Sequence, residues 1–574
     1  MDGGPPSDAD CGGTFTCTAG RRAGLDAKSV KEPKSIDDSV LSMRRWLLVV
    51  LVGAACATGA ACDADRGLHR RRDPGTLVVA RAADVQLLDP ARVLDTESIE
   101  IGTLLFEGLV RWAPGTTNIE PGLARTWETS PDGKQWTFHL RPGVVFHDGE
   151  PLDAAAVVFS FERLLDRHHP NYLVGGDADY WRQLINPVIR VSAKGASTVE
   201  IRLLYPFAPL LGYLALFPIV SPAAVTRWGD AFKAHPVGAG PFRFEEWKAG
   251  DALVVRRFER YWGTPPVLER IVFRVVADAR QRLVELESGS VDLAMAILPD
   301  EQSFVELHPE LGLHQTPSND VSYLAFNLAR PPFDQLAVRQ AIAHAINKKP
   351  IVKLAFQGRA LEAESPLPET QWGHHAPPRP RYPFDPARAR ALLDGAIAAG
   401  AFDPELTYTL YAPSTPRPYM TSPERVARFL QAALGSVGVK VELRLQPYAQ
   451  HRKSVGSGEH DLALFGWLGD TGDPDNFLYV LFHSENAVVG SAHNLAFFRD
   501  PDVDRLLLQA RGVTDQASRA ELYRQVQERI GNQVPWVPLV HSEYVVAARK
   551  DIADLVLSPL GHPVYAKISR RGPP

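Results

Sequence analysis

Cysteine is scarce in this chain and confined to its first part. The sequence has 574 residues and four cysteines, Cys11, Cys17, Cys56 and Cys62. A disulfide framework and a thiolate nucleophile are therefore excluded from everything after residue 62. That main body has to be stabilised by hydrophobic cores, and a chain of this length is expected to form two or three domains.

An excess of positive charge is also missing. The net charge is -5 and the pI is about 6.4, so no nucleic-acid partner is expected. Hydrophobic residues make up 45% of the sequence and charged residues 22%, which is typical of a globular protein. After residue 62 no segment is long and apolar enough to span a bilayer, so we expect at most a tether to the membrane.

The beginning of the chain has the pattern of an export leader. Arg44 and Arg45 precede an uncharged stretch at 46–61, which ends in small residues. Small residues precede both Cys56 and Cys62, as in bacterial lipoprotein leaders, but a glycine occupies the position where an aliphatic residue is usual. We predict lipidation at Cys62 or Cys56, with simple cleavage as the alternative.

These features divide the first part of the chain into three segments. Residues 1–42 are polar and precede the leader, which predicts that translation starts at Met43 and that this segment is a misassigned N-terminal extension. The leader covers residues 43–62, and a polar linker covers residues 63–75.

Helix and strand patterns alternate along the main body. Residues 136–140 and 144–146 flank an Arg-Pro-Gly turn, which predicts a β-hairpin. Asp153 is predicted to cap a helix after the hairpin. Apolar residues at helical spacing over 338–346 predict a second helix, capped by Asp334. Proline at position 423 after Ser422 predicts the start of another helix. The mixture of patterns indicates α/β and α+β domains.

A loop at 466–476 carries an unusual combination of residue types. It has three acids, three glycines, a proline and Trp467 between two apolar runs. Glycines and Asp-Pro do not build a regular element, and a carboxylate beside an indole can receive a ligand cation. A tight turn with capping side chains is the alternative. The acids Asp470, Asp473 and Asp475 lack the spacing and the bidentate glutamate of a calcium-binding loop. Asp473, which precedes Pro474, and Asp475 are expected to shape the turn.

No metal or cofactor site is predicted. The pairs His168-His169 and His374-His375 have no acidic partner at a useful spacing, so they are expected to be solvated loop residues. The sequence also lacks a Gly-x-Ser-x-Gly elbow and a His-Glu-x-x-His motif, which disfavours a hydrolase.

Four segments in order show a resemblance to a known family. They are 136–166, 237–263, 323–346 and the loop at 466–477. Together they resemble the family 5 extracellular solute-binding proteins of ABC importers, the peptide and nickel type, and most closely its dipeptide-binding branch. The resemblance extends from about Thr76 to about Ser569.

The resemblance implies an α/β, two-lobed periplasmic-binding-protein fold of type II, cluster C, with an additional domain inserted in lobe I. Lobe I would comprise residues 76–103, 219–320 and 535–574, the inserted domain residues 104–218, and lobe II residues 321–534. The chain would cross between the lobes near residues 320 and 534, and these crossings would form the hinge.

The resemblance also implies five ligand-binding residues. In similar receptors the acid at Asp470 accepts the α-ammonium group of a peptide, and an arginine at the place of Arg417 binds its carboxylate. Trp467 would stack on the ligand or wall the pocket, with core packing as the alternative. The strand with Tyr323 and Asn327 would pair with an extended peptide through its backbone.

The function implied is that of a receptor that is not an enzyme and needs no cofactor. It would capture a short peptide, most simply a dipeptide, and deliver it to the permease and ATPase subunits of an importer in the inner membrane. A non-peptide ligand such as a nickel chelate, haem or an antibiotic is the alternative. The protein would be a monomer on the periplasmic or envelope side of the membrane, attached through a lipid anchor.

Overall fold

The computed structural model describes residues 73–175 and 177–571. The predicted extension at 1–42, the leader at 43–62 with Cys56 and Cys62, and nearly all of the linker lie outside the described residues. From Asp73 onward the chain forms one unit by its contacts. Over the described residues, no helix combines the length and the apolar character needed to cross a membrane.

Strands and helices are interspersed along the whole of the described chain. The strands are β1 (Thr76–Arg81), β2 (Glu107–Gly108), β3 (Val110–Trp112), β4 (Ile119–Pro121), β5 (Ala124–Thr129), β6 (Gln135–Leu140), β7 (Val188–Ala193), β8 (Thr198–Leu203), β9 (Pro218–Ile219), β10 (Phe242–Lys248), β11 (Ala252–Arg257), β12 (Arg270–Val275), β13 (Leu293–Met295), β14 (Leu311–Pro317), β15 (Asp320–Phe326), β16 (Ala360–Glu362), β17 (Thr407–Pro413), β18 (Lys440–Gln446), β19 (Leu462–Leu468), β20 (Trp536–Arg549), β21 (Ile552–Ala553), β22 (Leu557–Ser558), β23 (His562–Pro563) and β24 (Ser569–Arg570). The α-helices are α1 (Thr96–Leu105), α2 (Ala154–Leu165), α3 (Asp177–Leu184), α4 (Leu210–Leu216), α5 (Pro222–Trp228), α6 (Ala279–Glu287), α7 (Pro299–Leu307), α8 (Leu336–Ala345), α9 (Lys348–Phe356), α10 (Pro386–Ala398), α11 (Pro423–Gly435), α12 (Tyr448–Gly456), α13 (Asp475–Phe482), α14 (Pro501–Gly512) and α15 (Gln516–Gln533).

One mixed sheet runs through both lobes. Its strand order is β10-β11-β12-β1-β13-β20-β15-β19-β17-β18, and β14 and β16 also pair with β20. In lobe I, β1 lies parallel to β12 and β13, and its side chains Leu77 and Val79 are fully buried. In lobe II, β17 lies parallel to β18 and β19. Helices on the lobe II sheet bury the apolar residues predicted over 338–346.

The long strand β20 belongs to both lobes. Its first residues, Trp536–Val540, pair with β15 of lobe II, and residues 543–549 pair with β14 of lobe I. The second crossing therefore lies at 541–542, where the sequence placed it near 534. The first crossing lies at 318–319, between β14 and β15. The sequence placed this crossing at the start of β20, just after the preceding helix, whereas the partner changes inside the strand, next to its polar residues His541, Ser542 and Glu543.

A buried carboxylate joins the two crossing points. Asp320 is 0% exposed, accepts a hydrogen bond from the Ser542 backbone N–H at 2.8 Å and accepts another from the Ser542 hydroxyl. Burial raises the pKa of Asp320 above its usual value, and the bonds from Ser542 oppose that shift. The hinge is thus held in register by a side chain and not only by sheet pairing.

The inserted domain has its own antiparallel sheet and its own core. The sheet order is β5-β6-β8-β7, and α2 packs against β7 and β8. Its core is built from residues such as Phe138, Phe161 and Ile201, which are all fully buried. Asp153 caps α2 as predicted, since its side chain accepts a hydrogen bond from the Ala156 backbone.

Two local predictions are wrong. Residues 144–146 form no strand with 136–140, because β6 pairs with β5 and β8 and Val145 has only an isolated bridge to Pro151. The N-cap of α8 is Gln335, without a side-chain cap bond, and not Asp334. For the hairpin, pairing of β6 with β5 and β8 overrides the local pattern.

A buried ion pair attaches the inserted domain to lobe I. Arg163 on α2 bonds to the Asp89 carboxylate at 2.5 Å, and both residues are at most 3% exposed. The Asp89 carboxylate also accepts a hydrogen bond from the Ala91 backbone. Removing the arginine would leave a buried charge without a partner.

We therefore expect Arg163→Met to destabilise the protein by about 3–5 kcal/mol, the usual cost of leaving a buried charge unpaired. Urea unfolding followed by tryptophan fluorescence measures the effect. The control is Arg167→Met, because Arg167 is exposed just beyond the end of α2. Equal effects of the two substitutions would contradict the role given to the Asp89–Arg163 pair.

Candidate functional site

A large cavity lies between the two lobes and the inserted domain. Its volume is about 1590 Å³, above the range of about 300–1,000 Å³ of ordinary small-ligand pockets. All three parts of the fold contribute to its wall: lobe I gives Arg81, Glu100, Leu298 and Tyr544, lobe II gives Leu354, Arg417 and Asp470, and the inserted domain gives Trp112, Tyr180 and Leu216.

The loop after β19 brings Asp470 to this cavity. Asn476, on the first turn of α13, organises the loop by accepting two hydrogen bonds on its side-chain oxygen. One comes from the Asp470 backbone N–H at 3.0 Å and the other from the Trp467 indole at 3.1 Å. The Asp470 carboxylate lines the cavity and is half-buried.

Asp470 is held in an environment that favours its neutral form. Burial raises its pKa to about 6, and the hydrogen bond with Asn476 opposes the rise. Within the described residues no arginine or lysine forms an ion pair with Asp470, whereas a bound cation would stabilise the carboxylate. The geometry is that of a cation site.

The other two acids of the loop lie beside arginine side chains inside the protein. Asp473 forms two hydrogen bonds with the guanidinium of Arg519, each 2.8 Å long, and accepts another from the Asp475 backbone. Asp475 lies 3.2 Å from Arg511, and burial raises its pKa to about 6. The sequence assigned both acids to shaping the turn, but it did not predict their arginine partners.

Arg417 lines the same cavity from the loop after β17. Its backbone pairs with Met420, and its guanidinium lies 3.9 Å from the ring centre of Tyr448. In the part of the chain that the structure describes, Arg417 has no carboxylate partner, and its Nε is buried without an acceptor. Stacking on the tyrosine fixes the plane of the guanidinium and leaves its outer edge available for an anion.

The other three predicted site residues are not in the cavity wall. Trp467 bonds to Asn476 and packs edge-to-face on His493 at 6.0 Å, so it supports the loop. Tyr323 packs on Trp536 at 3.7 Å, on a strand with β19 and β20 on either side. The Asn327 amide donates to the carbonyls of Gly458 and His460. A ligand role for these residues therefore has no support in the geometry.

Comparison with known proteins bears directly on this two-lobed cavity. The family model for bacterial extracellular solute-binding proteins, family 5 (middle region), matches residues 118–488. The chain belongs to this family.

Relatives cover nearly the full length. Heme-binding protein A of Haemophilus influenzae is 32% identical over 546 residues, covering 91% of this chain and 98% of the relative. A dipeptide-binding protein of Escherichia coli is 32% identical over 500 residues, covering 84% of this chain and 91% of the relative.

Solved structures agree with the fold. The structure of HbpA2 from Haemophilus parasuis matches with a TM-score of 0.80 at 30% identity, covering 86% of this chain and 100% of that one. The periplasmic binding protein DppA from Helicobacter pylori, in complex with the peptide STSA, matches with a TM-score of 0.70 at 31% identity. The match covers 86% of this chain and 98% of that one. The predicted family and the predicted two-lobed α/β fold are confirmed.

Several residues around the cavity of this solute-binding protein were missed by sequence reasoning. Tyr180 of the inserted domain and Glu543 and Tyr544 of β20 line it, and one oxygen of Glu543 is buried without a hydrogen-bond partner. Tyr180 lies 290 positions before Asp470, and no local pattern marks either region. The short polar run His541–Glu543 inside the apolar first and last parts of β20 was the available signal for Glu543.

Histidine and acidic side chains in the described ranges 73–175 and 177–571 do not gather into a group of three that could hold a metal ion. His375 is not a free loop residue, since its Nε2 lies 2.7 Å from Glu528. His374 Nδ1 lies 2.6 Å from the Leu367 carbonyl.

The raised pKa of Asp470 predicts a pH-dependent effect of Asp470→Asn on the empty receptor. Below about pH 4 both side chains are neutral, and the two proteins should be equally stable. Between pH 3.8 and about pH 6 the carboxyl ionises in the unfolded wild type but stays protonated in the folded protein. The variant therefore becomes more stable than the wild type, by about 1–2 kcal/mol after allowing for partial exposure, and the difference is constant above about pH 6. Thermal unfolding of both proteins between pH 4 and 8 measures the difference. A difference that does not change with pH would contradict the prediction.

Proposed function

We propose that this chain is the substrate-binding receptor of an ABC importer and captures short peptides, dipeptides above all, between its two lobes. The observation that carries the proposal is the pair of unpaired charges in one cavity, the Asp470 carboxylate and the Arg417 guanidinium. Family membership and the peptide-binding relatives support it. The receptor has no catalytic task and delivers its ligand to a membrane permease.

The two charges match the two ends of a peptide. Asp470 accepts the α-ammonium group, and the ionic contact replaces the water that closure removes. Arg417 binds the terminal carboxylate through two N–H groups, a geometry that lysine does not offer. A ligand that spans both charges has a defined length, while ordered water in the large cavity allows different side chains.

Closure follows from contacts made with both lobes. The hinge passes through 318–319 and 541–542, so a ligand held on Asp470 and Arg417 of lobe II meets lobe I only when the lobes approach. A ligand that binds the closed state better shifts the population towards it. The protein acts as a monomer in this scheme, because the cavity is completed by one chain.

Peptide binding is tested by calorimetry with di-, tri- and longer peptides at pH 7.5. We expect Asp470→Ala and Arg417→Ala each to weaken dipeptide binding by at least about 30-fold, since removing one partner of a buried charge pair costs about 2–5 kcal/mol. N-acetylated peptides should lose affinity for the wild type, and so should C-terminally amidated ones.

The matched controls are Asp394→Ala and Arg388→Ala on α10, both exposed and outside the cavity. They should bind as the wild type does. Dipeptide binding that survives Asp470→Ala would contradict the site assignment, and a wild type that binds no peptide would contradict the function.

Haem is a second candidate ligand. The cavity volume of about 1590 Å³ exceeds what a dipeptide needs, and His562 lines the cavity with a pKa that burial lowers, so its imidazole is neutral. A relative named for haem binding supports this candidate. Titration with haemin followed by its Soret absorbance, in the wild type and in His562→Ala, separates the two ligands.

We also propose that the leader directs the protein to the envelope side of the membrane and that Cys62 or Cys56 carries a lipid. Labelling of cells with a fatty-acid analogue should mark the wild type and should fail in the Cys56→Ser, Cys62→Ser double variant. Each single variant then identifies the modified cysteine. A wild type that is processed without taking up label would show simple cleavage.

A further inference from the structure

A tyrosine of the inserted domain lines the same cavity as Asp470. Tyr180 on α3 lines the cavity and is 39% exposed. Burial raises the pKa of its hydroxyl, and the Asp470 carboxylate is close enough to raise it further. The hydroxyl is therefore protonated at neutral pH, and a polarisable ring stands near an unpaired carboxylate.

The helix that carries Tyr180 is fixed in place on both sides. The next residue, Trp181, is 5% exposed and donates its indole N–H to the Val93 carbonyl of lobe I at 3.2 Å. Arg182 donates to the Leu164 carbonyl of α2 at 2.8 Å. The ring of Tyr180 is thus presented by an anchored element.

The inserted domain also holds the loop of Asp470 directly. The Trp112 indole donates to the Thr471 carbonyl at 3.2 Å, immediately after Asp470. The Thr117 hydroxyl donates to the Thr370 carbonyl, so lobe II is contacted at a second point. The domain that carries Tyr180 is therefore held against lobe II at two points, one of them next to Asp470.

Two glycines permit this close approach. Gly472 has a φ of +66°, and a Cβ there would lie 2.6 Å from the Thr117 carbonyl oxygen. A Cβ at Gly212 of α4 would lie 2.9 Å from the Thr471 carbonyl oxygen. Side chains at these positions would push the inserted domain away from the loop.

We propose that Tyr180 is a ligand-binding residue whose ring packs on the terminal ammonium group that Asp470 accepts. The inference rests on the proposed peptide function and adds the inserted domain to the binding site. A cation between a carboxylate and an aromatic face is attracted electrostatically to both, and the attraction is strongest when water is excluded. The inserted domain then contributes to the selectivity for peptides with a free amino terminus.

The test compares three substitutions in calorimetric titrations with one dipeptide, Leu-Ala. Tyr180→Ala should weaken binding by about 10-fold, and Tyr180→Phe, which keeps the ring, should stay within about threefold of the wild type. Tyr205→Ala is the matched control: Tyr205 is 38% exposed on the same domain and lies outside the cavity wall. It should not change the affinity.

Two outcomes overturn the inference while the proposed function stands. One is wild-type affinity in Tyr180→Ala together with loss of binding in Asp470→Ala. The other is a loss in Tyr180→Phe as large as in Tyr180→Ala, which would assign the effect to the hydroxyl and not to the ring.

A measurement without ligand decides the placement of Tyr180 even if no peptide binds. Removing the ring admits water, so the pKa of Asp470 should fall from about 6 towards 3.8 in Tyr180→Ala. The pH-dependent change in stability caused by Asp470→Asn reports that pKa, and it is measured with Tyr180 intact and in the Tyr180→Ala background. An unchanged titration overturns the inference even where peptides bind. Failure of the wild type to bind any peptide overturns the proposed function, and with it the ligand role of Tyr180.

Discussion

Charge neutralisation inside the loop after β19 is the interaction on which the site depends. Arg519 and Arg511 take up the charges of Asp473 and Asp475, and this fixes the loop in a protein interior where an unpaired carboxylate would be costly. Asp470, a few residues earlier, is left without such a partner. A fixed loop with a single unpaired acid can select a cation, whereas a mobile loop with three acids would bind cations indiscriminately.

The cavity around that acid combines elements from three parts of the fold. Lobe II supplies Asp470 and Arg417, and lobe I supplies the opposing wall. The inserted domain contacts the loop through Trp112 and a second part of lobe II through Thr117. The inserted domain thus serves two roles in this chain. It is attached to lobe I through the Asp89–Arg163 pair, and it braces the loop after β19 of lobe II.

The sequence predicts the parts of this arrangement that have a local pattern. The helix after Ser422, the cap at Asp153 and the turn-rich loop at 466–476 follow from residue types and spacing. The partners of Asp473 and the position of Tyr180 do not, because they join residues far apart in the chain and depend on how the lobes pack. The hairpin at 136–146 was wrong for the same reason, since β6 finds better partners in β5 and β8.

The shared strand β20 has a consequence for how this protein loses its structure. Its first half completes the sheet of lobe II and its second half completes that of lobe I, so neither sheet is intact without the same fourteen-residue strand. If β20 as a whole is lost, both lobes lose a central strand. The two lobes should therefore melt as a single cooperative unit, although each has a core of its own.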